Sequence, residues 1–305
     1  MLHVKDITWP ELSALDRAQT VVFIPFSPLE EHGPHLPIGT DLYMAQHFAT
    51  AIAAKLETAR PTVSTLLVPP IPLGAGTISM QGSVNVSVDL IYDVARQIAS
   101  AYARDGFRYI VFTNGHMGIP HLFALENAAR VVSRRFGVHC IAPSASILRQ
   151  LIQRRGMASK LPTQIDEADR ADFFAANHSG MLETSVMLAL HPTMVKSSFV
   201  HLPRLTRSIK MLIHRRQSTS WAGYMGDPAK ASAALGDIAI DELATAGAAI
   251  IGGIMDTGKR PAVSTEITPR VPFWLSVHRV RPLLVAFAFG AALAVLTPRI
   301  IAQEK

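Results

Sequence analysis

At 305 residues the chain can bury a full core, and length alone allows one large domain or two. Its composition, 49% hydrophobic with only 7% aromatic, makes that core aliphatic and alanine-rich, and its single cysteine, Cys140, excludes an internal disulfide. A net charge of +6 would suit nucleic acid, a membrane surface or an acidic substrate. The basic residues are scattered and lack an aromatic platform, so nucleic acid is not an expected partner.

The opening MLHVKDITWPELSAL carries acids early and no continuous apolar stretch, so it is not a secretory signal. TVVFIPFS (20–27), β-branched and aromatic, reads as a buried strand. It runs into SPLEEHGPHLPIGTD (27–41), where two glutamates, two histidines and an aspartate share a segment that Gly33, Pro34 and Pro37 keep irregular. Metal-competent side chains therefore sit on a stiff loop at a strand end, where α/β folds keep their chemistry. Residues 40–56 have helical spacing, with Thr40 as N-cap. Residues 64–74 read as a second strand running into a loop, and 87–107 as a long amphipathic helix ended by Gly106. A third strand (108–116) ends on the polar tip Asn114–Gly115–His116; helix (124–137) and strand (138–146) follow, with Cys140 as a core residue. This alternation predicts an α/β fold, a mainly parallel sheet with helices on both faces.

Residues 150–177 are charged and read as irregular, and GMLETSVMLAL predicts a helix starting just past His178. The basic stretch 204–216 is expected to be a solvated face. WAGYMGDPAKASAALGD (221–237) turns into a last long helix at about 236–256, with Asp227 as an entry cap. The expected domain ends at residue 257, and a linker rich in Pro, Lys and Arg fills 258–278. In the terminal segment 279–305, PLLVAFAFGAALAVLTP (282–298) is uncharged and bracketed by HRVR and Arg299. As a helix it would span roughly 25 Å, near the lower limit for crossing a bilayer. We expect a membrane anchor there, with the flanking basic residues placing the main domain in the cytoplasm.

Three strand ends thus offer ligands: Glu30, His32, His35 and Asp41; then His116; then His178 and Glu183. In a parallel sheet all three can meet at one end. Two hydrolytic metals ~3.5–4 Å apart need a bridging carboxylate and a few further ligands each. Mixed nitrogen and oxygen donors suit Zn, Mn or Fe better than Ca or Mg.

LEEHGPHLPIGTD, the NGH tip, HSGMLETS (178–185) and GYMGDPAKASAALG (223–236) resemble the creatininase family of metal-dependent amidohydrolases, as do GAGTISMQGS and DGFRYIVFTNGH. The matches run in the family's order over about residues 5–255. The resemblance implies a three-layer α/β/α domain, often assembled as a homo-oligomeric hexamer, that hydrolyses a C–N bond with one or two divalent ions. By motif position it makes Glu30, His32, Asp41 and His116 metal ligands, with Asp41 as the bridge and His178 as the proton shuttle. Gly118 stands where some members carry a ligand glutamate, and Glu183 is the replacement ligand. His35, Asn114 and Trp221 are left as supporting or substrate residues. Met181 replaces an acid common in the family and Ile119 an asparagine, which makes the substrate pocket more apolar. The expected reaction is attack of metal-bound hydroxide on a small-molecule amide, a cyclic amide, formamide or peptide-like amide, with His178 delivering a proton to the departing amine. The competing reading is a family member without turnover that serves as a membrane-tethered binding or scaffold protein.

Overall fold

A strand covered by helices on both sides must be apolar on both faces, and Thr20–Pro25 is buried at every position. The computed structural model describes residues 1–153, 161, 165–175, 177–205 and 221–259. Five strands, β1 (Leu2–His3), β2 (Thr20–Pro25), β3 (Ser64–Leu67), β4 (Tyr109–Thr113) and β5 (His139–Ile141), form one sheet in the order β1-β3-β2-β4-β5. All four pairings are parallel.

The period-two alternation of these strands sorts the core into two layers. Val22, Ile24, Leu66, Ile110 and Phe112 point to the face covered by α3 (Val88–Arg104) and α4 (Ile119–Phe136). Val21, Phe23, Leu67 and Val111 point to the opposite face. There α2 (Thr40–Ala59), α7 (Met181–Leu190) and α8 (Ala233–Thr257) pack on one another. A short helix α1 (Trp9–Ala14) precedes β2, while α5 (Ser144–Gln153) and α6 (Glu167–Phe174) lie between β5 and α7. This is the expected three-layer α/β/α arrangement.

Several boundaries differ from expectation. Thr40 is the first residue of α2 rather than its cap; Gly39 holds that position, and the Thr40 hydroxyl donates backward to the Pro37 carbonyl at 2.7 Å. Helix α4 starts at Ile119, five residues before the expected position, because Pro120 sits in its first turn. Proline is favoured there, since its fixed φ suits the helix and its missing N–H is not needed. The strand expected over 138–146 stops at Ile141, and Ser144 already opens α5. The supposedly irregular 150–177 segment contains α6, capped by the Asp166 side chain accepting from the Asp169 N–H at 2.7 Å. Asp227 makes no side-chain cap; α8 is capped by Ser232, whose hydroxyl accepts from Leu235 N–H at 3.3 Å.

By length and a mean hydropathy of 1.6, α8 could cross a bilayer, but its Leu235, Ala239, Leu243 and Ile251 are buried in the core. Gly236 brings α8 so close to α7 that a Cβ there would stand 2.1 Å from the Ser185 carbonyl oxygen. Residues 260–305, with most of the expected linker and the whole apolar tail, lie outside the described residues, as does most of the basic stretch 204–216.

Candidate metal centre

The connection after β2 leads to α2 on one face of the sheet, and the connection after β4 leads to α4 on the other. Because β2 and β4 are neighbours, their C-terminal ends flank a crevice at the topological switch point. Glu30, His32 and Asp41 follow β2, and His116 follows β4, so the topology brings these segments together.

The two imidazoles meet one carboxylate from opposite sides. His32 Nε2 lies 3.3 Å from Asp41 Oδ1, and His116 Nδ1 lies 3.1 Å from Asp41 Oδ2. His116 Nδ1 also stands 2.8 Å from Glu30 Oε2, and His32 Nε2 stands 3.6 Å from Glu183 Oε2. Neighbouring backbone fixes each group. His32 Nδ1 donates to the Glu30 carbonyl at 3.0 Å, which leaves Nε2 for the cluster. Glu30 Oε1 accepts from Ile78 N–H at 2.5 Å, and Glu183 Oε2 accepts from Ser179 N–H at 2.6 Å.

Two trios result. Glu30, Asp41 and His116 offer atoms within 4.8 Å of one another, all three residues buried; His32, His178 and Glu183 do the same, the last two half-buried. Three carboxylates converge on two imidazoles, so acidic groups outnumber basic ones in this interior. Burial disfavours a charged imidazole, yet Asp41 and Glu183 outweigh it at His32, and Glu30 and Asp41 outweigh it at His116, so both rise to about 10. Burial likewise opposes ionisation of Asp41, but the flanking histidines hold it well below the usual carboxylate range. Burial pushes Glu183 up. Glu30 Oε2, His32 Nε2 and Asp41 Oδ2 are buried with no well-aligned hydrogen-bond partner among the described residues. Convergent atoms of opposite demand, close together yet not aligned on each other, suit a cation between them, and the N/O donor set fits Zn, Mn or Fe.

The remaining sequence candidates surround these trios. His178 donates from Nε2 to the Glu31 carbonyl at 2.8 Å, and its ring centroid lies 4.4 Å from that of His32 and 6.0 Å from that of Trp221. His35 is fully buried, bonds Thr184 Oγ1 through Nε2 at 2.8 Å, and is lowered to about 4, first by burial and then by the His32 and His178 charges. It braces the loop against α7. Asn114 ties the loop after β4: its Oδ1 accepts from the Ser27 hydroxyl at 2.7 Å and from His116 N–H at 2.9 Å, and its amide donates to the His116 carbonyl. Gly118 lies against His116, so that a Cβ there would stand 2.2 Å from Nε2. A side chain at 118 and this His116 position are incompatible.

Two residues escaped the sequence reading, and a third was left open. Glu31, expected as a solvated or a supporting acid, is buried, with Oε1 3.5 Å from His178 Nε2. Nothing in two adjacent glutamates indicates that both turn inward. Ser179, at φ 50°, is the only non-glycine residue with positive φ among the described residues, and this turn aims His178 and Glu183 at one place. His121, lowered to about 3 first by burial, packs edge-on to His116 with ring centroids 5.5 Å apart.

The creatininase family profile, described as creatinine amidohydrolase, matches residues 5–251. The chain belongs to the creatininase family. It is 27% identical over 230 residues to the mycofactocin precursor peptide peptidase of Mycolicibacterium smegmatis, covering 71% of this chain and 78% of that one. To the creatinine amidohydrolase of Pseudomonas putida it is 24% identical over 212 residues, covering 64% and 74%. A crystal structure of creatinine amidohydrolase superposes with a TM-score of 0.61 at 19% identity, covering 83% of this chain and 98% of that one. A structure described as creatininase Mn gives 0.60 at 19% identity over 84% and 98%. These superpositions show that the creatininase fold is shared.

Proposed function

We propose that this chain is a metal-dependent amidohydrolase with Glu30, Asp41 and His116 holding one divalent ion, His32, Asp41 and Glu183 a second, and His178 moving the proton. The observation that carries the reading is Asp41, whose two oxygens face two different histidines, Oδ2 towards His116 of its own trio and Oδ1 towards His32 of the other. Family membership supports amide hydrolysis, and solved creatininases described as Mn and as Zn-Zn type support those metals. A divalent ion supplies a water of lowered pKa and polarises a carbonyl.

The protein's own part is orientation and proton handling. Asp41 fixes the spacing of the two trios. Glu183, tied to the Ser179 N–H, faces His32 at the less buried side. His178 directs Nε2–H to the Glu31 carbonyl, which leaves Nδ1 free to accept a proton and pass it to the departing nitrogen. Trp221, beside it, carries a buried indole N–H without a partner among the described residues, a donor suited to a substrate oxygen. Water oxygen joins the acyl carbon, the C–N bond breaks, and carboxylate and amine leave. The test is turnover of simple amides by protein reconstituted with zinc or manganese against an EDTA-stripped control; equal rates in the two samples would sink the reading.

The charge-free stretch 282–298 supports a membrane tether for a cytoplasmic main domain, and the family resemblance supports a hexamer. Carbonate washing of membranes from cells expressing the full chain tests the tether; release into the wash contradicts it.

A further inference from the structure

Beside Glu183, between the sheet and the α2–α7–α8 layer, lies a cavity of about 40 Å³ open to the centre of a water-sized atom. One water needs roughly 10–15 Å³ on that measure, so the space takes a group of about three or four heavy atoms. Its walls are Met44 and Phe48 of α2, Met117 after β4, Ile147 of α5, Val186 of α7 and Leu243 of α8.

Much of the polar capacity in the wall is already committed. Asn114 spends its side-chain oxygen on Ser27 and His116 and its amide on the His116 carbonyl. The Ser144 hydroxyl accepts from Asn114 N–H at 3.0 Å. Glu183 accepts from Ser179 and faces His32. A carboxylate here would lose its water beside the Glu183 carboxylate and gain at most the Ser144 O–H and the second Asn114 N–H, whereas an aliphatic group loses nothing. His178, Glu31 and Trp221 do not line the cavity. The leaving nitrogen belongs beside the proton carrier, so the acyl side of the scissile bond faces the cavity.

We infer that this cavity receives the acyl substituent of the substrate and selects an uncharged, branched aliphatic group of three or four carbons. The inference rests on the amidohydrolase reading for its orientation, though the preference of the cavity can be read by binding alone. The experiment has two arms on the full-length protein. In the first, the zinc-reconstituted protein hydrolyses the p-nitroanilides of acetic, propionic, butyric, isovaleric and succinic acids. The expected kcat/KM rises about tenfold per methylene up to isovaleryl, with the charged succinyl compound lowest. In the second, the free acids from acetate to isovalerate are titrated calorimetrically into zinc-loaded protein, and affinity follows the same order. Ile147→Phe, which fills the space, moves the optimum in both arms toward acetyl.

A flat or falling series in the binding arm overturns the inference, whatever the hydrolysis arm gives. Chain-length-dependent binding without hydrolysis of any anilide keeps the preference of the cavity and overturns the amidohydrolase reading instead.

Discussion

The two trios meet at Asp41, which belongs to one and faces His32 of the other, but they differ in setting. Glu30, Asp41 and His116 are buried, braced by Ile78 and Asn114, and close against Gly118. His32 is buried too, but its companions His178 and Glu183 keep 14% and 13% of their side chains exposed, and Glu183 borders the cavity. A closed site favours an ion held as part of the structure, and an open one favours exchange with water and substrate. On this account the inner trio retains its ion and the outer trio meets the amide.

That contrast can be broken most severely at Glu183. Glu183→Gln is expected to abolish measurable hydrolysis while metal content only halves, since the inner trio is untouched; loss of all metal would show that the two trios are not separable. His178→Ala should lower kcat by about 10²–10⁴-fold, the usual contribution of a positioned acid or base. Metal content should stay unchanged, so a parallel fall in metal would make His178 a ligand instead of a proton carrier.

A smaller effect concerns pH. His32 and His116 rise from 6.5 to about 10, so both hold protons at neutrality in metal-free protein, and an incoming ion must displace them. Apparent zinc affinity should therefore climb as pH rises toward 10, by about tenfold per unit for each displaced proton. Calorimetry in buffers of different ionisation enthalpy counts those protons; zero release contradicts the assignment. The fold of the metal-free protein responds in the opposite sense. A raised histidine stabilises fully below its ordinary 6.5 and loses that contribution as pH rises through about 10.

Much of this was legible in the sequence because local signals agreed with the fold. The apolar run of β2, the amphipathic spacing of α3 and the ligand-dense loop after β2 each follow from short-range chemistry. Pro120 misled because it breaks a helix in the interior yet starts one in the first turn, and the expected start of α4 fell after it. Helix α6 was hidden by its charge, since only Asp172 and Phe173 among its residues are buried. At the site, residue type marked the candidate ligands, but burial and backbone strain decided the supporting cast. Glu31 owes its place to a contact across the fold, with His178, and Ser179 to its positive-φ turn before α7, and no spacing rule reaches either.

The central claim is that one aspartate joins two metal-binding trios. It is tested most directly by metal analysis of the wild type beside Asp41→Ala, both purified without added metal and checked for folding by circular dichroism. The account predicts near-stoichiometric zinc, manganese or iron in the wild type and almost none in a folded Asp41→Ala, because both proposed ions lose a ligand at once. A folded Asp41→Ala that keeps the wild-type metal content would contradict it.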